Sequence, residues 1–278
     1  MTGKVDFQLP QEVLEMYKEL TAIQEKHSNI QVVTGTLSEE QLSDHFQQKV
    51  PLLSFIPPSF NRKAFNEVLM EISAVTKKYR PTMNKKVDKI VDFLMITEHF
   101  DEIINRLIWQ EDNKVEKLLT GSRVDKKLFF FIAINTLRPF MISYGKKLSE
   151  HINNELWKKN YCPVCGWQPI MAKIVGENHL RHLHCSLCAS EWEYKRLACV
   201  NCRNEDHEKL KSFNVEGDEV YQVSVCEECH SYVKTLDENK LIKKPNMLLA
   251  DIETLYLDIL AEREGFSKGN TPKSSNAH

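Results

Sequence analysis

A chain of 278 residues, 42% of them hydrophobic and 27% charged, has the apolar material for a packed core and room for two domains. A net charge of −2 supplies no electrostatic attraction toward nucleic acid or an acidic membrane surface. The start, Met1 to Gln8, has no apolar run behind a basic segment, so no secretory signal is read there, and the apolar run Leu128–Ile134 is far too short to span a bilayer.

Residues 1–160 contain no cysteine and are dominated by helical periodicity. Val13, Leu14, Tyr17, Leu20 and Ile23 recur at three- and four-residue spacing, one face of a helix entered at Pro10. Ser38-Glu-Glu-Gln is a capping box that opens a second helix running towards Phe46. A break from Pro51 to Pro58 follows, and Ser59 is placed to cap a helix carrying Phe65, Leu69, Ile72 and Val75. Further helices are expected over 84–97, 99–110 and 125–137, and a last long one from Pro139 to Lys159. This half reads as an all-helical domain without a motif that carries chemistry.

From 161 the pattern becomes extended. Strands are expected at Pro169–Val175, Leu180–His184, Glu191–Leu197, Leu210–Val215, Val220–Val225 and Tyr232–Leu236, with turns at Gly176-Glu-Asn and Glu216-Gly-Asp. The plan of knuckle, hairpin, knuckle and short strand occurs twice, so residues 161–198 and 199–244 form two repeated modules. A closing helix spans Asn246 to Glu264, with Leu249, Ile252, Leu255, Tyr256 and Ile259 on one face and Gly265 as its stop, within a segment 245–266. The polar tail 267–278 is expected to be disordered.

All eight cysteines fall into Cys-x-x-Cys pairs: Cys162/Cys165, Cys185/Cys188, Cys199/Cys202 and Cys226/Cys229. Two thiolates two residues apart grip one tetrahedral ion, and four pairs make two four-sulfur sites. The gaps inside the modules, 19 residues between Cys165 and Cys185 and 23 between Cys202 and Cys226, suit a zinc-ribbon or rubredoxin-like fold. The expected sites are Cys162, Cys165, Cys185 and Cys188 for the first ion, and Cys199, Cys202, Cys226 and Cys229 for the second. Spacing alone also allows the first pair to join the third and the second the fourth; the repeat argues for neighbours. Four thiolates suit zinc and iron alike. Thiolates that must stay reduced fit a cytoplasmic protein.

These strings resemble a known family, the formate dehydrogenase accessory proteins (FdhE family). The resemblance runs through Cys162-Pro-Val-Cys-Gly166, Leu180-Arg-His-Leu-His-Cys-Ser-Leu-Cys-Ala-Ser-Glu-Trp192, Arg196, Cys199-Val-Asn-Cys202 and Cys226-Glu-Glu-Cys-His-Ser-Tyr-Val-Lys-Thr-Leu236. It continues through Asp251-Ile-Glu-Thr-Leu-Tyr-Leu-Asp258 and Glu264-Gly-Phe266, covering residues 160–272. Two knuckles carry Arg203 and His230 where that pattern often has glycine. The resemblance implies tandem rubredoxin-like modules on a helical domain and an accessory role. Its implied partner is the catalytic subunit of formate dehydrogenase, bound in the cytoplasm during maturation.

Other residues are given plainer roles. His179, His182 and His184 lie near Cys185, but the cysteines already complete two sites; alternation puts His182 and His184 on one strand face and Arg181 and Leu183 on the other. Trp192 is expected to pack, while Trp167 is either packing or a partner contact. Residues 161–240 hold nine Lys plus Arg against thirteen Asp plus Glu, and each filled four-thiolate site adds two negative charges, giving about −8 and disfavouring nucleic acid. Glu12, Glu15 and Glu19 have the spacing of a solvated helix face. There is no acid/base pair, Ser-His-Asp set or phosphate loop, so the expected action is binding rather than catalysis. The expected class is α+β: an all-helical N-terminal domain, two tandem four-cysteine ribbon modules and a C-terminal helix. Rival readings are an iron protein with a redox role in cofactor assembly and a nucleic-acid-binding zinc ribbon.

Overall fold

A computed structural model of the chain describes residue 7 and residues 9–32 and 35–269. The expectations placed on Met1–Asp6 and on most of the tail, 270–278, fall outside the described residues. The helical half contains α1 (Gln11–Lys26), α2 (Glu39–Gln48), α3 (Arg62–Tyr79), α4 (Asn84–Ile96), α5 (Phe100–Ile108), α6 (Asp112–Leu118) and α7 (Lys126–Leu148). The Ser38 capping box forms as expected, with the Ser38 hydroxyl accepting from Gln41 N and the Gln41 side chain accepting from Ser38 N. Asn61, not Ser59, caps α3: its Oδ1 accepts from Lys63 N at 2.9 Å and Ala64 N at 3.2 Å. The short helix α6 had no expectation.

The largest correction is at Pro139. Two helices were expected, one ending at 137 and one running from Pro139 to Lys159; instead α7 passes through Pro139 and ends at Leu148, followed by a 3₁₀ turn at Ser149–His151. Proline removes the N–H that would have bonded the carbonyl of Asn135. The Gln24 amide of α1 reaches that carbonyl at 3.4 Å and the Asn135 side chain at 2.9 Å, so the freed acceptor is not orphaned. By length and composition, Lys126–His151 could cross a membrane, although its apolar run Leu128–Ile134 could not. Here it is the central core helix, with Phe129, Ile132, Leu137, Phe140 and Tyr144 fully buried. Phe65 of α3 meets Phe100 at 5.0 Å and Phe140 at 5.8 Å between ring centres.

The second half holds β1 (Pro169–Val175), β2 (Leu180–Cys185), β3 (Glu191–Glu193), β4 (Leu210–Phe213), β5 (Tyr221–Cys226) and β6 (Ser231–Asp237). The third strand is shorter than Glu191–Leu197. Beyond Glu193 the chain leaves the ladder, held by the Arg181 guanidinium, which donates to the carbonyls of Lys195 and Ala198. The two modules are not separate small sheets. They merge into one, in the order β3-β2-β1-β6-β5-β4, joined by a parallel seam that pairs Ala172 with Thr235, Lys173 with Leu236 and Ile174 with Asp237.

The expected single closing helix is two, α8 (Met247–Glu253) and α9 (Leu255–Arg263), broken at Thr254. The Asp251 carbonyl is taken at 2.6 Å by Lys234 Nζ from β6, and Thr254 Oγ1 turns back to Ala250 O at 2.7 Å. Both helices lie on one sheet face, over Met171 and Leu236 and over Val223, Val225 and Tyr232. Ser267–Lys268, placed in the expected disordered tail, instead forms a short strand β7 beside the start of β6.

Candidate metal centres

Each cysteine pair sits on a tight knuckle, and the four knuckles share one geometry. The backbone N–H of the first cysteine bonds the carbonyl five residues on: Cys162 to Trp167 at 2.9 Å, Cys185 to Ser190 at 2.9 Å and Cys199 to Asn204 at 2.8 Å. Cys226 faces Ser231, also five residues on, in the β5–β6 register. The residue after each second cysteine takes left-handed φ: Gly166 77°, Ala189 57°, Arg203 66° and His230 51°. Three of the four are therefore not glycine, one more than the Arg203 and His230 departures noted from sequence. An L-residue in that region costs roughly 1–2 kcal/mol, so the knuckle closure outweighs the strain at Ala189, Arg203 and His230.

The knuckles converge in neighbouring pairs. Cys162, Cys165, Cys185 and Cys188 form one group and Cys199, Cys202, Cys226 and Cys229 another, with the sulfurs of each group all within 4.8 Å of one another. The interleaved pairing does not occur. Close Sγ–Sγ distances are 3.5 Å for Cys162–Cys188, 3.4 Å for Cys165–Cys185, 3.6 Å for Cys199–Cys229 and 3.8 Å for Cys202–Cys226. Metal–sulfur bonds of about 2.3 Å place tetrahedral sulfurs about 3.8 Å apart, so both groups have the size of a four-thiolate metal site. Backbone amides aim at the sulfurs: Leu187 N reaches Cys185 Sγ at 3.4 Å, and Asn201 N and Cys202 N reach Cys199 Sγ at 3.3 and 3.4 Å. Such donors favour thiolate over thiol.

Burial pushes the Cys162 and Cys165 thiols well above the ordinary cysteine range, while burial at Cys188 is outweighed by hydrogen bonds led by Cys162 that bring it well below, so a cation is needed to hold all four sulfurs ionised together. In the second group burial takes Cys202 up to about 12. At Cys229 burial works in the same direction, but hydrogen bonds led by Ser231 and Asn201 bring it down to about 6. The donor set fits a divalent ion of the zinc or iron type, held without an open coordination position.

The two surroundings differ. The first group is inside the main core together with Trp192 and Tyr144. Leu52 N and Leu53 N donate to the carbonyls of Pro163 and Val164 at 2.9 and 2.8 Å, so the Pro51–Pro58 break, read from sequence only as a boundary, clamps the first knuckle. On the other side α7 comes so near at Gly145 that a Cβ there would sit 2.5 Å from the Cys188 carbonyl. Gly145 is the only glycine in that 23-residue helix, which was the available signal. The second group lies at the surface, with Cys202 exposed and Cys229 half-buried. Asn160 holds its first knuckle, donating to Val200 O at 2.8 Å and Asn201 O at 3.2 Å.

Among the described residues no histidine joins either group. His184 is buried and bonds Glu191 at 3.1 Å, His182 is half-buried, and His179 is exposed at the β1–β2 turn. Trp192 packs fully buried with its Nε1 donating to Lys159 O at 2.8 Å. Trp167, partly buried, donates to Ile108 O at 2.6 Å and so joins the first knuckle to the helical half.

Family models place these motifs. The FdhE central-domain model matches residues 161–196 and the FdhE C-terminal-domain model matches residues 197–273. The cysteine half of the chain, residues 161–273, therefore matches the FdhE family. An FdhE homologue of Aquifex aeolicus is 32% identical over 160 residues, 55% of this chain and 54% of that one, so the chain spans about half the length of that relative. An FdhE homologue of Haemophilus influenzae is 28% identical over 251 residues, 85% of this chain and 77% of that one. In fold, the crystal structure of the FdhE protein from Pseudomonas aeruginosa aligns over 95% of this chain and 92% of that one, with a TM-score of 0.64 at 19% identity.

Proposed function

We propose that this protein is an FdhE-family accessory factor for maturation or quality control of formate dehydrogenase, acting in the cytoplasm by binding the catalytic subunit. The observation that carries this reading is the pair of closed four-sulfur groups at 3.4–3.8 Å spacing in a chain whose cysteine half matches that family. Four thiolates leave no coordination position for substrate, so the sites act as folding nuclei that hold a recognition surface rigid before a partner arrives. When bound, the ion supplies cross-linking of two knuckles. The chain's own residues do the rest: Leu52, Leu53 and Gly145 seat the first module on the helices, Asn160 holds the second, and Arg181 fixes the end of the first where it runs into Cys199. Affinity capture of tagged protein from anaerobically grown cells, with metal analysis of the same sample, tests it. Recovery of formate dehydrogenase catalytic subunit is expected, and its consistent absence overturns the reading.

Exposure of Cys202 supports a second reading, in which the outer site holds iron and exchanges electrons during cofactor assembly. Visible absorption of ferric protein that bleaches reversibly on reduction is expected there, and a colourless zinc protein rules it out.

A further inference from the structure

The repeat makes the two modules comparable face by face. In the first module the sheet face carrying Ala172, Leu183 and Trp192 is covered by the helical half. In the second, α8 and α9 cover the opposite face, and the continuation of the first face is left as a cleft of about 250 Å³. Its floor is polar where the first module's is apolar: Ser212 pairs with Ser224 across β4 and β5, and Gln222 with Thr235 across β5 and β6. Arg181, Arg196 and Lys211 line it, Lys211 being paired with Glu227 outside the cleft, together with Cys199 and Cys226 of the second cysteine group; no aspartate or glutamate does, although the two modules together hold thirteen.

Arg181 is 6% exposed, and its Nε has no hydrogen-bond partner. Two carbonyls take its Nη2, and among the described residues no carboxylate lies within 4.0 Å of Arg181 or Arg196. A guanidinium has five donors in a rigid fork suited to a carboxylate. Arg181 has the Cys199 thiolate of the second metal centre as an anionic neighbour but no carboxylate, and Arg196 makes no ion pair among the described residues, so the guanidinium wall of the cleft is open to a carboxylate. The cleft continues into a hollow of about 540 Å³ that shares Ile174, Arg196 and Gln222 and adds Glu219 and Asp237. The cationic end therefore lies beside a longer, mixed-charge track, the shape of an extended chain rather than of a compact ion. A nucleic acid strand, with a phosphate at every nucleotide, would meet Glu219 and Asp237 along the track, whereas a peptide need bring only one carboxylate, to the arginine end.

We propose that this cleft docks an extended peptide segment of a partner protein that carries an acidic side chain, its carboxylate taken by Arg181 and Arg196. Ser212, Ser224, Thr235 and Gln222 offer donors and acceptors to the main chain on either side. This deepens the maturation reading and rests on it for the identity of the partner, not for the existence of the cleft.

The test uses full-length, metal-loaded protein as wild type, Arg196→Glu and Ser212→Trp, the last filling the cleft from its floor. Both positions are exposed, so metal content is the check that the fold is intact. Purified formate dehydrogenase catalytic subunit and a display library of short random peptides are the probes. Both variants are expected to weaken subunit binding about tenfold or more, and the library is expected to yield acidic peptides on wild type that both variants lose. Equal subunit binding by all three proteins overturns the cleft and leaves the maturation reading intact. Absence of subunit binding to wild type overturns the maturation reading, and the library then decides the cleft alone. Failure to enrich acidic peptides, or enrichment unchanged by the variants, overturns it. Cleft-dependent capture of a single-stranded RNA oligonucleotide at physiological salt, in place of acidic peptides, overturns it as well.

Discussion

The first four-cysteine group is at most 3% exposed and shares a core with the helices, whereas the second has one cysteine open to solvent and lies outside the cores that its sheet makes with the C-terminal helices. The same knuckle-hairpin-knuckle plan is thus used once as core and once as surface. The ligand set is identical, so the difference lies in what covers the sheet face. Burial makes the first site a condition for folding of the whole chain, and exposure makes the second a local staple.

The sharpest way to break this comparison is to remove one sulfur from each site. A structural ion contributes on the order of 10–16 kcal/mol to folding, against about 5–15 kcal/mol of net domain stability. Cys185→Ser is therefore expected to lose the first ion and the cooperative helical melting transition. Cys226→Ser should lose only the second ion and keep that transition. Metal-to-protein ratios and thermal circular dichroism check both, and identical melting of the two variants contradicts the division.

Next in size is Lys234→Met. Lys234 is fully buried, with Nζ 2.7 Å from Asp251 and 2.6 Å from Asp258, while Tyr232 donates to Asp258 at 2.7 Å. Removing the buried cation leaves the two carboxylates with only the half-exposed Lys268, 3.2 Å from Asp251 and 3.8 Å from Asp258, and should cost about 3 kcal/mol. Hydrogen exchange is expected to show the loss in β5, β6 and α9, with α3 and α7 unchanged.

Gly145→Ala tests the opposite side. The added methyl would meet the Cys188 carbonyl at 2.5 Å and Ser190 Oγ at 2.9 Å, a backbone contact that cannot swing away. A loss of about 1–3 kcal/mol is expected by denaturant titration, together with slower metal uptake at the first site only. The smallest effect belongs to Asn246→Ala. Asn246 caps α8, accepting from Leu248 N and Leu249 N at 3.1 Å each, and reaches Glu25 of α1 at 2.8 Å. About 1 kcal/mol should be lost, spread over both halves because this residue bridges them.

Local signals read well from the sequence. The Ser38 box, the apolar stripes of α1 and α3 and the period-two strands depend on neighbours a few residues away, and all but the third strand, which stops four residues early, form within a residue or two of their expected places. Cysteine spacing left two pairings open, and the repeat of knuckle and hairpin foretold the one in which the sulfurs meet. Apart from the Asn61 cap and the short α6, the larger misses are long-range. Pro139 stays in its helix because Gln24, over a hundred residues earlier, takes the carbonyl it frees. The closing helix breaks because Lys234 intrudes from a strand. Nothing local announces that one face of the second module is left bare, because the polar residues there read as ordinary solvent-facing strand positions.

The seam between modules has a consequence for assembly. The first strand of the leading unit pairs with the last strand of the trailing one, a head-to-tail contact that uses different edges on its two sides. Contacts of that kind do not close on themselves and can add further copies without limit, as in a fibre. Here each outer edge is blunted. β3 is three residues long with Glu191 and Glu193 on it, and β4 is four residues long with Lys211. Short, charged borders resist pairing with another sheet, so the array stops at two units.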